Sequence, residues 1–175
     1  MTYRIILLAL LALALAGCGA DTQHSAALRR WQTRPLTHYL LRTREEIRGT
    51  LCGQTVEVRD EQVLRILSDT CAHPTLWTVG WLFSYAERGQ VAVDRCARYD
   101  PDAGCICRDA IELQVEYDSI LGYPRAITMR QVWVAAWLGT GYWSYLARHG
   151  TLADCTTPFN DSGRRVVVRE LRPLP

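Results

Sequence analysis

Seven cysteines, eighteen carboxylates and four histidines are the groups in this 175-residue chain that could do covalent, metal or acid–base chemistry. Cys18 lies at the end of an apolar run. The other six cysteines are Cys52, Cys71, Cys96, Cys105, Cys107 and Cys155. An even set in an exported chain points to disulfides. Cys52 and Cys71 bracket an expected hairpin, so they are expected to pair. Cys105 and Cys107 are two residues apart, and a bridge between them would strain a small ring. Cys96 is therefore expected to pair with one of the two and Cys155 with the other. The competing chemistry is zinc, held by Cys71 and His73 together with Cys105 and Cys107. The C-x-C spacing is tighter than the C-x₂₋₄-C of structural zinc sites, so no metal and no cofactor is expected. A Cys–His nucleophile using His73 or His149 would need a free thiol, and the even count leaves none.

The carboxylates give two candidate pairs. Glu112 and Glu116 share one face of an alternating segment, and paired carboxylates are the machinery of glycoside hydrolysis. Asp100 and Asp102 start like a calcium loop, but Gly104 and Ile111 stand where further ligands belong, and Pro-Asp-x-Gly is turn chemistry. No nucleophile elbow, P-loop or H-E-x-x-H motif occurs. All 20 basic residues are Arg, which excludes Schiff-base catalysis. An enzyme is thus the less favoured class, with an extracytoplasmic hydrolase as its form. The favoured class is a membrane-tethered binding or structural module.

Export is read from the N-terminus. Arg4 precedes an unbroken apolar run from Ile5 to Ala16. That run is well short of the roughly 20 residues a membrane-spanning helix needs and fits a signal-peptide core. Leu15-Ala16-Gly17-Cys18 resembles the bacterial lipobox, in which the Cys is lipidated and becomes the first residue after cleavage. The expected organisation is a signal peptide over 1–17, a lipidated Cys18 and tether over 18–24, and one domain over 25–175. Gly19-Ala20 lacks the Asp that retains similar lipoproteins at an inner membrane. An extracytoplasmic protein, anchored in the cell membrane or outer membrane, is expected.

The formal net charge of +2 gives no electrostatic reason to expect nucleic acid as a partner. An apolar fraction of 49% and a charged fraction of 22% are those of an ordinary globular domain. The elements expected are helices near 25–34, 76–88 and 141–148 and strands over 37–48, 56–58, 64–66, 111–117, 127–137 and 166–171. Ile111, Leu113, Val115 and Tyr117 alternate with polar residues, the pattern of a half-buried strand. Residues 95–108 read as a Cys- and Asp-rich loop. The fold expected is α+β: an antiparallel sheet of about four to six strands, disulfide-stapled, with two or three helices mainly on one face.

The segment Tyr117-Asp118-Ser119-Ile120-Leu121-Gly122-Tyr123-Pro124 resembles a Tyr-Asp-Pro-x-x-Gly-Tyr-Pro turn. That turn marks an uncharacterised family of small bacterial lipoproteins and secreted domains. Trp31, Tyr39-Leu40-Leu41, Cys52, Val56, Val58 and Thr78 to Phe83 extend the resemblance over about Trp31 to Ile127. Ser119 replaces the family's Pro, the loop 94–108 is longer, and 133–160 resembles an insertion. The resemblance implies fold and export and adds no chemistry.

Aromatic residues supply the candidate binding surface. Trp133, Trp137, Tyr142, Trp143 and Tyr145 crowd one short segment. The first expectation is that they finish the core and cover the sheet, and that the turn is structural. The alternative is that they, with Tyr117, Asp118 and Tyr123 of the turn, form a surface for a ligand, an envelope protein or the membrane interface.

Overall fold

The computed structural model describes residues 19–34, 36–72, 75–88, 95–157 and 163–175. Cys18 and His73 lie outside them. The chain runs α1 (Gly19–Gln32), β1 (His38–Ile47), β2 (Thr50–Arg59), β3 (Gln62–Asp69), α2 (Val79–Arg88), β4 (Cys96–Asp100), β5 (Gly104–Tyr117), β6 (Pro124–Ala135), α3 (Thr140–His149) and β7 (Arg164–Pro173). Among the described residues the strands form one seven-stranded sheet, β3-β2-β1-β7-β6-β5-β4. Every neighbouring pair is antiparallel. The last strand in sequence therefore lies at the centre of the sheet.

One face of the sheet carries the core. Tyr39 and Leu41 of β1, Val56 and Val58 of β2, Ile127 of β6 and Val166 and Val168 of β7 are buried there. Ala27 and Trp31 of α1 and Val79, Leu82, Phe83 and Ala86 of α2 cover them. The helical spacing of three and four on α2 makes this stripe. Thr78 caps α2, its Oγ1 accepting the Trp81 N–H at 3.1 Å. The expected α+β architecture is present, with α1 and α2 on one face.

Three expectations are corrected. The sheet has seven strands, not four to six, because β4 and the first part of β5 occupy the expected loop 95–108. That hairpin turns at Gly104, with φ 94°, where Asp100 accepts the N–H groups of Asp102 and Ala103. Its Cys, Arg and Asp residues hide any apolar alternation. The first helix begins at Gly19 rather than Ser25, so residues 19–24 are helix rather than tether. His24 seats this early part, sharing a 2.7 Å hydrogen bond with the Tyr117 hydroxyl. Leu64 and Ile66 are exposed, whereas Val63 packs on the core. β3 is the edge strand, and two register shifts in its ladder with β2 break the simple parity.

The disulfides are Cys52–Cys71, Cys96–Cys105 and Cys107–Cys155, within the pairings expected from hairpin geometry and ring strain.

Candidate functional site

The aromatic segment forms a tip at the far end of the β5–β6 hairpin. β6 ends at Ala135, and Ala136 is still tied to the sheet, its N–H donating to Ile106 O. The chain then leaves the sheet and returns as α3. Gly141 makes that return possible. A Cβ there would lie 2.7 Å from both Ala103 O and Cys105 O, so only glycine lets α3 rest on the backbone of the β4–β5 hairpin. Arg148 fastens the other end of α3 to Asp102, through the carboxylate and the backbone carbonyl. Cys107–Cys155 draws the segment after α3 onto β5, and Arg98 Nη1 donates to Asp154 O.

This scaffold sorts the aromatic residues. Tyr142 is 1% exposed and packs between Trp137, at 5.0 Å, and Trp143, at 5.6 Å. Trp133 and Tyr145 are half-buried, Tyr145 lying against the His149 ring. Trp137 is 56%, Leu138 101% and Trp143 53% exposed. The Trp143 Nε1–H donates to Trp137 O at 2.7 Å, which fixes one indole against the other's backbone. An exposed apolar patch of this kind marks an interaction surface, and Trp is the side chain most often found at binding hot spots.

The turn residues do not join this surface. The β5–β6 ladder runs from Cys107↔Ala135 beside the tip to Tyr117↔Pro124 at the turn, roughly 33 Å at about 3.3 Å per residue. The candidate surface therefore splits, and the expectation that the two aromatic groups adjoin is corrected. The turn is a seat for α1. Gly122, with φ 82°, lies so close to α1 that a Cβ would meet Ala27 O and Arg30 Cβ. Asp118 accepts the N–H groups of Ile120 and Leu121. Burial pushes the Tyr117 hydroxyl up to about 12 and raises that of Tyr123 as well.

The acidic candidates are held by local partners. Glu116 pairs with Arg125 at 3.1 Å, and Glu112 accepts from Gln114 Nε2 at 3.2 Å. Asp100 closes its own turn and Asp102 meets Arg148. Neither candidate pair lines the groove under α1 and α2 or the one beside Trp77. Glu45 lies near the sulfurs of Cys52 and Cys71, but those sulfurs are bonded to each other and are not thiolate ligands. Glu45 is instead the buried partner of Arg164.

One functional-looking cluster escaped the sequence reading. Glu61, in the β2–β3 turn, accepts hydrogen bonds from Trp31 Nε1, Arg34 Nη2, Tyr39 Oη and Gly80 N at 2.7 to 3.2 Å. Burial, and then the Glu61 charge, push the Tyr39 hydroxyl well above its ordinary value. A groove of about 390 Å³ opens beside it, between α1 and α2. Every acceptor site of Glu61 that faces inward is taken by the protein, so the cluster joins elements.

No family model, curated protein or solved structure matches the chain.

Proposed function

We propose that the protein is an exported lipoprotein, anchored through Cys18, that works as a cell-envelope binding module. Its contact surface is the tip formed by Trp137, Leu138 and Trp143. The observation that carries this reading is the exposure of those three large apolar side chains on a tip braced by two disulfides and Gly141. Three disulfides fit an oxidising, extracytoplasmic compartment. Among the described residues no helix is long and apolar enough to cross a membrane, and the attachment in this reading is lipid on Cys18. The helix that follows Cys18 sits on the Tyr117–Pro124 turn, at the opposite end of the hairpin from the tip. The tip thus reaches away from the helix that follows the anchor, toward a partner with an apolar pocket.

Trp137 and Trp143 lie outside the core, and Tyr142 beneath them keeps the tip in place. The double variant Trp137→Ser, Trp143→Ser is expected to melt within a few degrees of the wild type. It is expected to lose partner affinity by roughly 30-fold or more, the effect of removing a hot spot worth about 2 kcal/mol. Native sedimentation of detergent-extracted envelope complexes reads this directly. A variant that stays in the same complex as the wild type contradicts the reading.

A further inference from the structure

The face of the sheet opposite α1 and α2 carries a concentration of charge that the composition conceals. The chain as a whole is nearly neutral. On this face Arg42 and Arg44 of β1 stand beside Arg165 and Arg169 of β7, with Arg44 paired in register to Val167 and Glu46 to Arg165. Arg169 is the extra residue of a β-bulge, since Arg42 pairs with Glu170 and Thr43 with Val168. Bulges re-aim side chains, and this one puts Arg169 beside the β1 arginines. All four arginines are exposed. Among the described residues none of the four has an ion pair or a side-chain hydrogen bond, whereas Glu57, Glu116 and Glu170 each pair with another base.

Between these arginines run two adjoining grooves of about 460 and 250 Å³, which share Arg44, Leu51 and Arg169. Their depth comes from the sequence. Gly53 stands opposite Arg44 in the β1–β2 ladder, so the layer of side chains on this face is missing one member there. Leu51 and Val167 give the grooves an apolar wall, and among the described residues Glu46 is the one acid that lines them.

We infer that this groove is a binding site for a small bisphosphorylated ligand, two phosphate monoesters on a sugar-like scaffold. Four guanidinium groups less the Glu46 carboxylate leave three positive charges. Two phosphate monoesters carry about −3 to −4 near neutral pH, at roughly −1.5 to −2 each. A single carboxylate would leave most of that charge unmatched. Guanidinium forks bind phosphate oxygens in pairs, and the wall of Leu51 and Val167 suits the carbon face of a sugar ring. The same chemistry can reach the groove free in solution or as the headgroup of a lipid. The site lies on the sheet face away from the α1 seat and stands independently of the aromatic tip.

Calorimetry on the disulfide-intact chain tests this with fructose 1,6-bisphosphate as the soluble probe. A second arm uses phosphatidylcholine vesicles with and without phosphatidylinositol 4,5-bisphosphate, whose sugar-like headgroup carries two phosphate monoesters. Binding of the bisphosphate is expected to be at least tenfold tighter than that of orthophosphate and to weaken with added salt. Arg44→Gln and Arg169→Gln are each expected to lower it several-fold, and together more than tenfold. Arg88→Gln, on the helix face, is expected to leave it unchanged. Gly53→Leu, which fills the groove without altering charge, is expected to weaken binding as strongly as the double arginine variant. Stronger binding to the phosphatidylinositol 4,5-bisphosphate vesicles than to the soluble probe assigns the ligand to a lipid, and binding of the soluble probe alone assigns it to a free metabolite. Equal binding of bisphosphate and orthophosphate overturns the inference. So does full binding by the Arg44→Gln, Arg169→Gln double variant, or tighter binding of poly-glutamate than of either phosphate probe.

Discussion

Cys18→Ala is expected to move the protein from the membrane fraction to the soluble extracytoplasmic fraction almost completely. In a lipoprotein the Cys at this position receives a diacylglyceryl thioether, and after cleavage its amino group receives a further acyl chain. Each buried CH₂ contributes about 0.8 kcal/mol, and two or more chains give firm attachment where one gives only marginal binding. Among the described residues no helix is long and apolar enough to cross a membrane. The domain itself is expected to fold in the variant, because its core, sheet and three disulfides lie C-terminal to the change. Fractionation and the intact mass of the wild-type chain read the outcome together. The wild-type mass is expected to be that of a chain starting at Cys18 with its acyl groups. A Cys18→Ala variant that stays with the membrane contradicts the anchor.

Glu61→Ala is expected to cost about 3 kcal/mol of folding stability. Tyr39 and Trp31 are buried and both donate to this carboxylate, as does the Gly80 N–H at the start of α2. A buried donor left without an acceptor costs about 1–3 kcal/mol. Glu61 is itself about a third exposed (36%), so water reaches part of the vacated site and the total stays well below the sum. Arg34 also loses its ion-pair partner. Glu61 sits at φ 61°, and Ala keeps the same Cβ there. The difference therefore reports the carboxylate and not backbone strain. Thermal unfolding with the disulfides intact is expected to shift down by roughly 6–12 °C, and Glu61→Gln, which keeps an acceptor, by less than half of that. A shift under about 1 °C for Glu61→Ala would show that the turn does not join α1, β1 and α2.

Local patterns made part of this molecule legible. Ile111 to Tyr117 alternate and form the second half of β5. Of the apolar stripe expected over 76–88, Val79, Leu82, Phe83 and Ala86 are buried on α2, while Leu76 precedes the helix and is exposed. Hairpin reach and the strain of a Cys105–Cys107 ring narrow the disulfides to two sets, of which the structure holds the one with Cys96–Cys105 and Cys107–Cys155. The missing parts depend on contacts between distant residues. Glu61 reads as one more polar residue in a hairpin turn, and its partners lie 19 to 30 positions away. The aromatic cluster is visible in sequence, but its sorting is not. Tyr142 is buried and Trp137 and Trp143 are exposed because Gly141 docks on Ala103 and Cys105. The four arginines of the open face come together only because β7 inserts between β1 and β6, a placement no local period encodes.

Photo-crosslinking in intact cells tests the binding module most directly. A photoreactive amino acid at position 143 probes the tip, and one at position 120 probes the other end of the hairpin, where Ile120 is also exposed. Both chains keep Cys18. Position 143 is expected to give a discrete adduct with one envelope component, lost when Trp137→Ser is added, and position 120 is expected not to give it. The same adducts from both positions, or none from position 143, would contradict a module that binds through its tip.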